Sequence, residues 1–178
     1  MKTAYYDDED ETLVIHRSGK PVVHEVSLRL TSLATLDAAL LGDGSTDWTR
    51  LANRFAAAGL LATDDVGRIE HLWWFGRLIA NTDMHTANLS FRPLGRLALA
   101  PVYDMLPMWY APLPGGEVPA RAFEPPLPLP PQRPTWMAAC VAAVSFWMRA
   151  SQDARISEQF RRTCGANAVH LQQIAERV

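Results

Sequence analysis

Apolar positions along the chain change period several times, and each change marks an element. Leu13-Val14-Ile15 is a short apolar run that reads as a strand, with Ser18-Gly19-Lys20-Pro21 as the turn after it. Ser32 to Leu41 reads as a short helix stopped by Gly42. Trp48, Leu51, Ala52 and Phe55 then fall at i, i+3, i+4 and i+7, the stripe of an amphipathic helix, with Asp47 as N-cap and Gly59 as stop. A further helix is expected to begin near Asp64-Asp65, whose charges suit a helix N-terminus. From Leu72 to Ala80 it loses its polar face, which places it in the middle of a domain.

After this buried helix the pattern turns polar at Asn81-Thr82-Asp83 and then alternates. Leu89 to Arg92 reads as a strand, Pro93-Leu94-Gly95 as a turn, and Arg96 to Ala100 as the returning strand. Such a hairpin would carry Asp104 back beside Asn88. From Pro112 to Pro134 there are nine prolines in twenty-three residues, a density that excludes regular helix. The segment is expected to be an extended strap over its own domain, anchored by Trp109, Phe123 and several leucines, in preference to an SH3-type ligand. Helix then returns. Met137, Cys140, Val141, Val144, Trp147 and Met148 mark an apolar stripe with Thr135 as cap, and Asp153 to Thr163 and Ala166 to Val178 read as two shorter helices around Gly165. The fold class is therefore mainly α with a small β-hairpin.

Composition narrows the function classes. With 178 residues, 48% hydrophobic, the chain can bury the core of one domain. A net charge of −2 supplies no basic surface, so direct nucleic-acid binding is not expected. The Trp136–Met148 stretch is too short to span a bilayer, and the acidic residues from Asp7 argue against a secretory signal; no membrane and a cytoplasmic location are the expectations. Cys140 and Cys164, on helical segments, read as small buried hydrophobes.

The chemistry concentrates in Asn81-Thr82-Asp83-Met84-His85-Thr86-Ala87-Asn88 and Tyr103-Asp104. Asp83 precedes Asn88 by five residues, and Asp104 follows sixteen later, the order in which protein kinases hold a catalytic base and two metal ligands. Phosphoryl transfer asks a protein for a carboxylate to orient the attacking hydroxyl and for oxygen ligands that fix Mg²⁺ on the phosphates. In this reading Asp83 takes the first role, Asn88 and Asp104 the second, and His85 supports the loop through a hydrogen bond. Asn81 and Thr82 cap the helix or shape the turn. Asp-x-x-x-x-Asn alone is a weak signal, since both residues are ordinary in turns. Its setting strengthens it: Asp104 lies in the apolar run Val102-Tyr103-Asp104-Met105-Leu106, where a carboxylate is costly unless paired or bound to a cation. A rival is metal-dependent hydrolysis, with Asp83, His85, His71 and Asp104 as a mixed site, but His16, His24 and His170 have no second ligand at metal spacing.

The run from Trp74 through Phe91, followed by Leu99-Ala100-Pro101-Val102-Tyr103-Asp104-Met105-Leu106, strongly resembles the C-terminal domain of HipA-family serine/threonine kinases, toxins of type II toxin–antitoxin pairs, and within it the YjjJ-like branch. The match follows segment order over residues 12–178 and is sharp over 72–110. The resemblance implies a mostly helical, kinase-like C-lobe, ATP and Mg²⁺ as cofactors, and a protein serine or threonine as acceptor. It makes Asp83 the catalytic aspartate and Asn88 and Asp104 the metal and cofactor ligands. It also relates Val14 to Arg17 to the strand leading into the adenine-contacting hinge. The whole chain would be one such domain: a frayed acidic start (1–11), a catalytic-loop and metal-site half (12–110), a proline-rich strap (111–134) and C-terminal helices (135–178).

Two departures from the family pattern bear on activity. There is no Gly-rich loop, and Lys2 and Lys20 are the only lysines, so the expected phosphate-gripping N-lobe is missing from this sequence. Many relatives carry lysine before the loop asparagine, where this chain has Ala87; loss of that cation removes a stabiliser of developing phosphate charge. The expectation is a short or truncated chain that works as a kinase alone or with a separately encoded N-lobe, with an antitoxin as possible partner. The alternative is a catalytically inactive module that binds an antitoxin or a partner kinase.

Overall fold

The computed structural model describes residues 2–7, 12–17, 20–23, 30–94, 96–117 and 121–178. Lys2–Asp7 (β1), Thr12–Arg17 (β2) and Lys20–Val23 (β3) form an antiparallel sheet in the order β1-β2-β3. The expected apolar strand lies in β2, and Lys20 and Pro21, read from sequence as turn, open β3; Ser18 and Gly19 lie outside the described residues. The start of the chain, expected to fray, contributes β1, whose Tyr5 and Tyr6 pair with Val14 and Leu13. A second antiparallel sheet joins Thr31–Ser32 (β4), Ser90–Leu94 (β5) and Arg96–Leu99 (β6). The β5–β6 pair is the expected hairpin, but with two sheets the β content exceeds the expectation of one hairpin. The fold is nonetheless mainly helical.

Leu33–Leu36 (α1) continues as a π-turn over Asp37–Leu41 and ends at Gly42 in the left-handed conformation, φ 60°. The Asp37 carboxylate accepts from the backbone N–H of Asp43 (3.0 Å) and Gly44 (2.8 Å) and so closes the following loop. Trp48–Ala57 (α2) begins at Asp47, whose carboxylate accepts from the backbone N–H of Thr49 and Arg50, the capping its sequence position predicts. Thr63–Leu78 (α3) carries Asp64 and Asp65 in its first turn. Arg133–Gln152 (α4) and Glu158–Ala175 (α5) complete the helices.

Helix α3 serves two cores. Ile69, on its first half, packs with Leu33, Trp48, Leu51, Phe55, Leu89 and Phe91; Trp74 and Leu78, on its second half, pack with Trp136, Trp147, Cys164 and Leu171 from α4 and α5. The loop leaving α3 therefore runs along the seam between two packed bodies, with Met84 in the first core and Ala80 in the second. Both cysteines are buried and free, and burial pushes each thiol up to about 11. They are inert packing groups at neutral pH. Among the described residues no helix is long and apolar enough to cross a membrane.

Three sequence expectations change here. The buried stripe of α4 is Trp136, Ala139, Cys140, Ala143 and Trp147, while Val141 is 71% exposed and Met148 is exposed too. The alanines admit the close approach of α3 and α5, so small residues, and not the largest aliphatic ones, face inward. Thr135 is no cap, because the helix starts earlier, with Pro134 in its first turn. The tail is one helix from Ser157, whose hydroxyl accepts from the Phe160 N–H, running straight through Gly165. A Cβ at Gly165 would meet only Ser151 Cβ, at 3.9 Å. Gly165→Ala is accordingly expected to stabilise the fold by roughly 0.5–1 kcal/mol, since alanine loses less backbone freedom on entering a helix. A lower midpoint in chemical denaturation would show that α4 and α5 need closer contact there.

Among the described residues of the proline-rich segment, a turn over 114–116 is closed by Gly116 N–H donating to the Leu113 carbonyl (2.8 Å), residues 121–129 carry no helix or strand, and a 3₁₀ turn follows at Pro130–Gln132. Of the expected anchors, Phe123 and Trp109 hold and the leucines do not. Phe123 and the buried Pro125 face the domain, whereas Leu113, Leu127 and Leu129 are exposed.

Candidate active site

Helix α3 ends in a Schellman motif: Asn81 N–H donates to the Gly76 carbonyl (2.9 Å) and Ala80 N–H to that of Arg77 (3.4 Å). Ala80 occupies the left-handed position, φ 60°, where glycine is usual. The tight reversal aims the chain into the loop. The Asn81 side chain, buried, then does two jobs. Its Oδ1 accepts from the Asp83 N–H (2.9 Å), and its Nδ2 donates to the Asp104 carbonyl (3.0 Å) with Met105 Sδ at 3.9 Å. The turn-shaping role expected of Asn81 is present, and with it a tie to a segment twenty-three residues away.

Asn88, also buried, sits at the end of a 3₁₀ turn over Thr86–Asn88 and donates from Nδ2 to the Asp83 carbonyl at 2.8 Å. Its nitrogen being committed, Oδ1 is the atom it can offer a cation. Trp48 Nε1–H donates to the His85 carbonyl at 3.3 Å, pinning the loop to the first core. The Tyr103 hydroxyl donates to the Ala87 carbonyl (2.7 Å) and lies 2.9 Å from Ser90 Oγ, which holds the Tyr103-Asp104 segment against the loop as the hairpin was expected to do.

The Asp83 carboxylate is 54% exposed, and its ion-pair contact is His85 Nε2 at 3.7 Å, longer than a hydrogen bond. The hydrogen bond through which His85 was expected to support the loop is made at its backbone carbonyl, which accepts from Trp48 and Asn88, and not at its ring. Asp104 has φ 55° and is exposed. The expectation that its carboxylate is buried among apolar neighbours fails, because the left-handed turn rotates it out of the run in which it is written. No desolvation argument for a cation applies there. Asp tolerates this conformation better than most residues.

Two methionines immediately after the aspartates make a contact that periodicity did not reveal. At Gly76 a Cβ would fall 2.4 Å from Met84 Sδ, 2.6 Å from Met84 Cε and 3.3 Å from Met105 Cε. The bare Cα of Gly76 is the shared seat of Met84 and Met105, and through them of Asp83 and Asp104. A glycine inside the apolar second half of α3 is the signal that was available, since it costs about 1 kcal/mol there without a packing reason. Gly76→Ala gains helix propensity but displaces both thioethers. The expected outcome is a stability change within about 1 kcal/mol together with clear shifts of the Asp83 and Asp104 backbone amides by NMR. Unmoved amides would show that the methionines adjust without carrying the loops.

The mixed hydrolase site does not assemble. Among the described residues no group of three or more His, Cys, Asp or Glu side chains gathers at metal-binding distance. His71 lines a separate cavity with Asp64, Arg68 and Leu99, and His170 pairs with Glu124 at 3.2 Å. His24 lies outside the described residues.

The model of the family described as HipA-like C-terminal domain matches residues 27–178. Toxin YjjJ of Escherichia coli (strain K12) is 40% identical over 134 residues, 74% of this chain and 30% of that protein. The chain thus spans less than a third of that relative's length. No solved structure matches it.

Proposed function

The chain belongs to the HipA-like C-terminal domain family, and we propose on that footing that it is the acceptor- and metal-orienting lobe of an ATP- and Mg²⁺-dependent serine/threonine protein kinase. The name of its relative, a toxin, supports placing it in a toxin–antitoxin pair with an antitoxin as partner. The single observation that carries phosphotransfer is the frame in which the Asn81 amide joins the Asp83 loop to the Asp104 backbone while Asn88 grips the Asp83 carbonyl. A turn made of ordinary capping residues has no need of that cross-connection.

On this reading Asp83, presented to solvent on a loop fixed through its backbone, orients the acceptor hydroxyl and takes its proton. Asn88 Oδ1 and the Asp104 carboxylate are hard oxygen donors, the set that suits Mg²⁺ and not a softer ion. When bound, the ion neutralises charge on the phosphates. His85, whose carbonyl accepts from Trp48 Nε1–H, supports the loop that carries Asp83. The mainly helical body around a loop, hairpin and aspartate supports the reading of a kinase-like C-lobe.

Titrating the chain with Mg²⁺ and ATP tests this. Saturable shifts of the Asn88 side-chain amide are expected, and Asp104→Ala is expected to weaken the Mg²⁺ response tenfold or more, a loss of ~1.4 kcal/mol or greater. An Asn88 amide that stays still with both the ion and millimolar nucleotide would remove the proposal.

A further inference from the structure

The candidate active site continues into a cavity of about 480 Å³ lined on one side by the end of α3 and the start of the loop, Ala80, Asn81 and Thr82, one peptide unit before Asp83. The opposite wall is Trp109 with Phe123 and Pro126 of the proline-rich strap. That wall is held in place by hydrogen bonds. Trp109 Nε1–H donates to the Ala122 carbonyl (3.1 Å), Arg121 donates to the Trp109 carbonyl (3.3 Å) and stacks on its ring, and Trp136 Nε1–H donates to the Pro126 carbonyl (2.9 Å). A proline-rich backbone with little freedom, stitched at three points, keeps the space open.

The lining is mostly apolar. Of its charged members, Glu124 is engaged by His170 (3.2 Å), and Arg77 is held by the Trp73 and Trp74 rings, 5.6 and 5.4 Å from their centroids. Ring faces steady a guanidinium without consuming its N–H donors. The lining reaches Thr82, the residue before Asp83, and none of Asp83, Asn88 and Asp104 belongs to it. It therefore flanks the entry to the Asp83 loop, apart from the groups assigned to phosphate and metal.

We propose that this cavity is the acceptor subsite: it takes an apolar side chain adjacent to the serine or threonine that is phosphorylated, with Arg77 donating to a main-chain carbonyl of the acceptor segment. The inference rests on the kinase reading above. An extended chain advances about 3.3–3.6 Å per residue and turns successive side chains to opposite faces, so with one side chain in the cavity the neighbouring hydroxyl projects out of it, within a residue's length of the loop that carries Asp83. The aromatic and proline walls favour an apolar occupant and leave a carboxylate there without a hydration shell.

Two peptides test it, each with a single serine in a glycine–alanine background, flanked on both sides by leucine in one and aspartate in the other. NMR follows the Trp109 indole N–H, assigned by its loss in W109F. The leucine peptide is expected to shift that signal and to bind about tenfold or more tightly than the aspartate peptide. Ala122→Arg and Ala122→Trp, which fill the cavity from an exposed position with and without charge, are both expected to erase the difference. Equal binding of the two peptides, discrimination that survives both variants, or movement of the Trp109 indole by Mg-ATP alone overturns the subsite. Phosphorylation of both peptides at one rate by the full-length protein also overturns it while the kinase reading stands. Docking at Trp109 with no transfer by the full-length protein overturns the kinase reading and the acceptor role together.

Discussion

On the proposed kinase reading, Asp83→Asn is expected to lower phosphate transfer, measured with an N-lobe present, about 10²–10⁴-fold, the span typical of a lost general base, without moving the unfolding midpoint of the chain. The two halves of that expectation come from different atoms of one residue. The backbone N–H and carbonyl of Asp83 hold the loop to Asn81 and Asn88, and asparagine keeps both. The carboxylate is 54% exposed and sits 3.7 Å from the His85 ring, so its loss costs the fold little. Initial rates with saturating Mg-ATP, beside a denaturation curve for each protein, check the prediction. Equal rates would take Asp83 out of the mechanism; a rate that falls together with the midpoint would mean the carboxylate holds the loop after all.

The largest stability effect is expected at Trp147. The residue is fully buried in α4, its ring meets Tyr110 edge-on at 6.2 Å and Phe146 at 5.2 Å, and its indole N–H donates to the Leu78 carbonyl at 3.1 Å. Leu78 is the last residue of α3, where carbonyls have no partner within the helix. Trp147→Ala removes ring volume and orphans that carbonyl. A loss of about 3–5 kcal/mol follows from the cavity alone, a large part of a typical domain's 5–15 kcal/mol. Trp147→Phe keeps most of the volume and loses only the donor, so about 1–3 kcal/mol is expected. Urea denaturation of both variants separates the contributions. Equal losses would place the whole effect in the hydrogen bond to α3.

Elements whose cause is local were legible in the chain. Asp47 caps α2 because a side-chain oxygen two and three residues before free N–H groups needs nothing from elsewhere in the fold. Gly42 and Gly59 stop helices through their own positive φ. The β5–β6 hairpin followed from alternation around a turn. Elements that depend on a neighbour's shape were misread. Val141 was expected inside and lies outside, because α3 and α5 approach α4 on its alanine side. Gly165 was taken for a break, but packing along α4 carries α5 through it.

The site divides along the same line. Spacing within the sequence identified Asp83, Asn88 and Asp104 as the groups of interest, and resemblance over 72–110 named the family that the match over residues 27–178 shows. Missed were the residues that hold those groups in register: Gly76 as the seat for Met84 and Met105, Trp48 on the His85 carbonyl, and Tyr103 on the Ala87 carbonyl. Each spans a gap in sequence that periodicity does not cross. Asp104 was misjudged in environment for a related reason, since its neighbours in sequence are apolar while its φ of 55° turns it away from them.

By itself, then, the sequence determined which chemical groups this protein carries and the helices and hairpin that bear them, because caps, turns and apolar periods act within a few residues. Only the tertiary structure decided that Asn81 bridges the two aspartate segments, that Asp104 faces solvent, and that the strap stands off the loop to leave a cavity. Those outcomes depend on how two cores share α3 and where their surfaces meet, and close packing of distant residues is a property of shape that one-dimensional spacing does not encode.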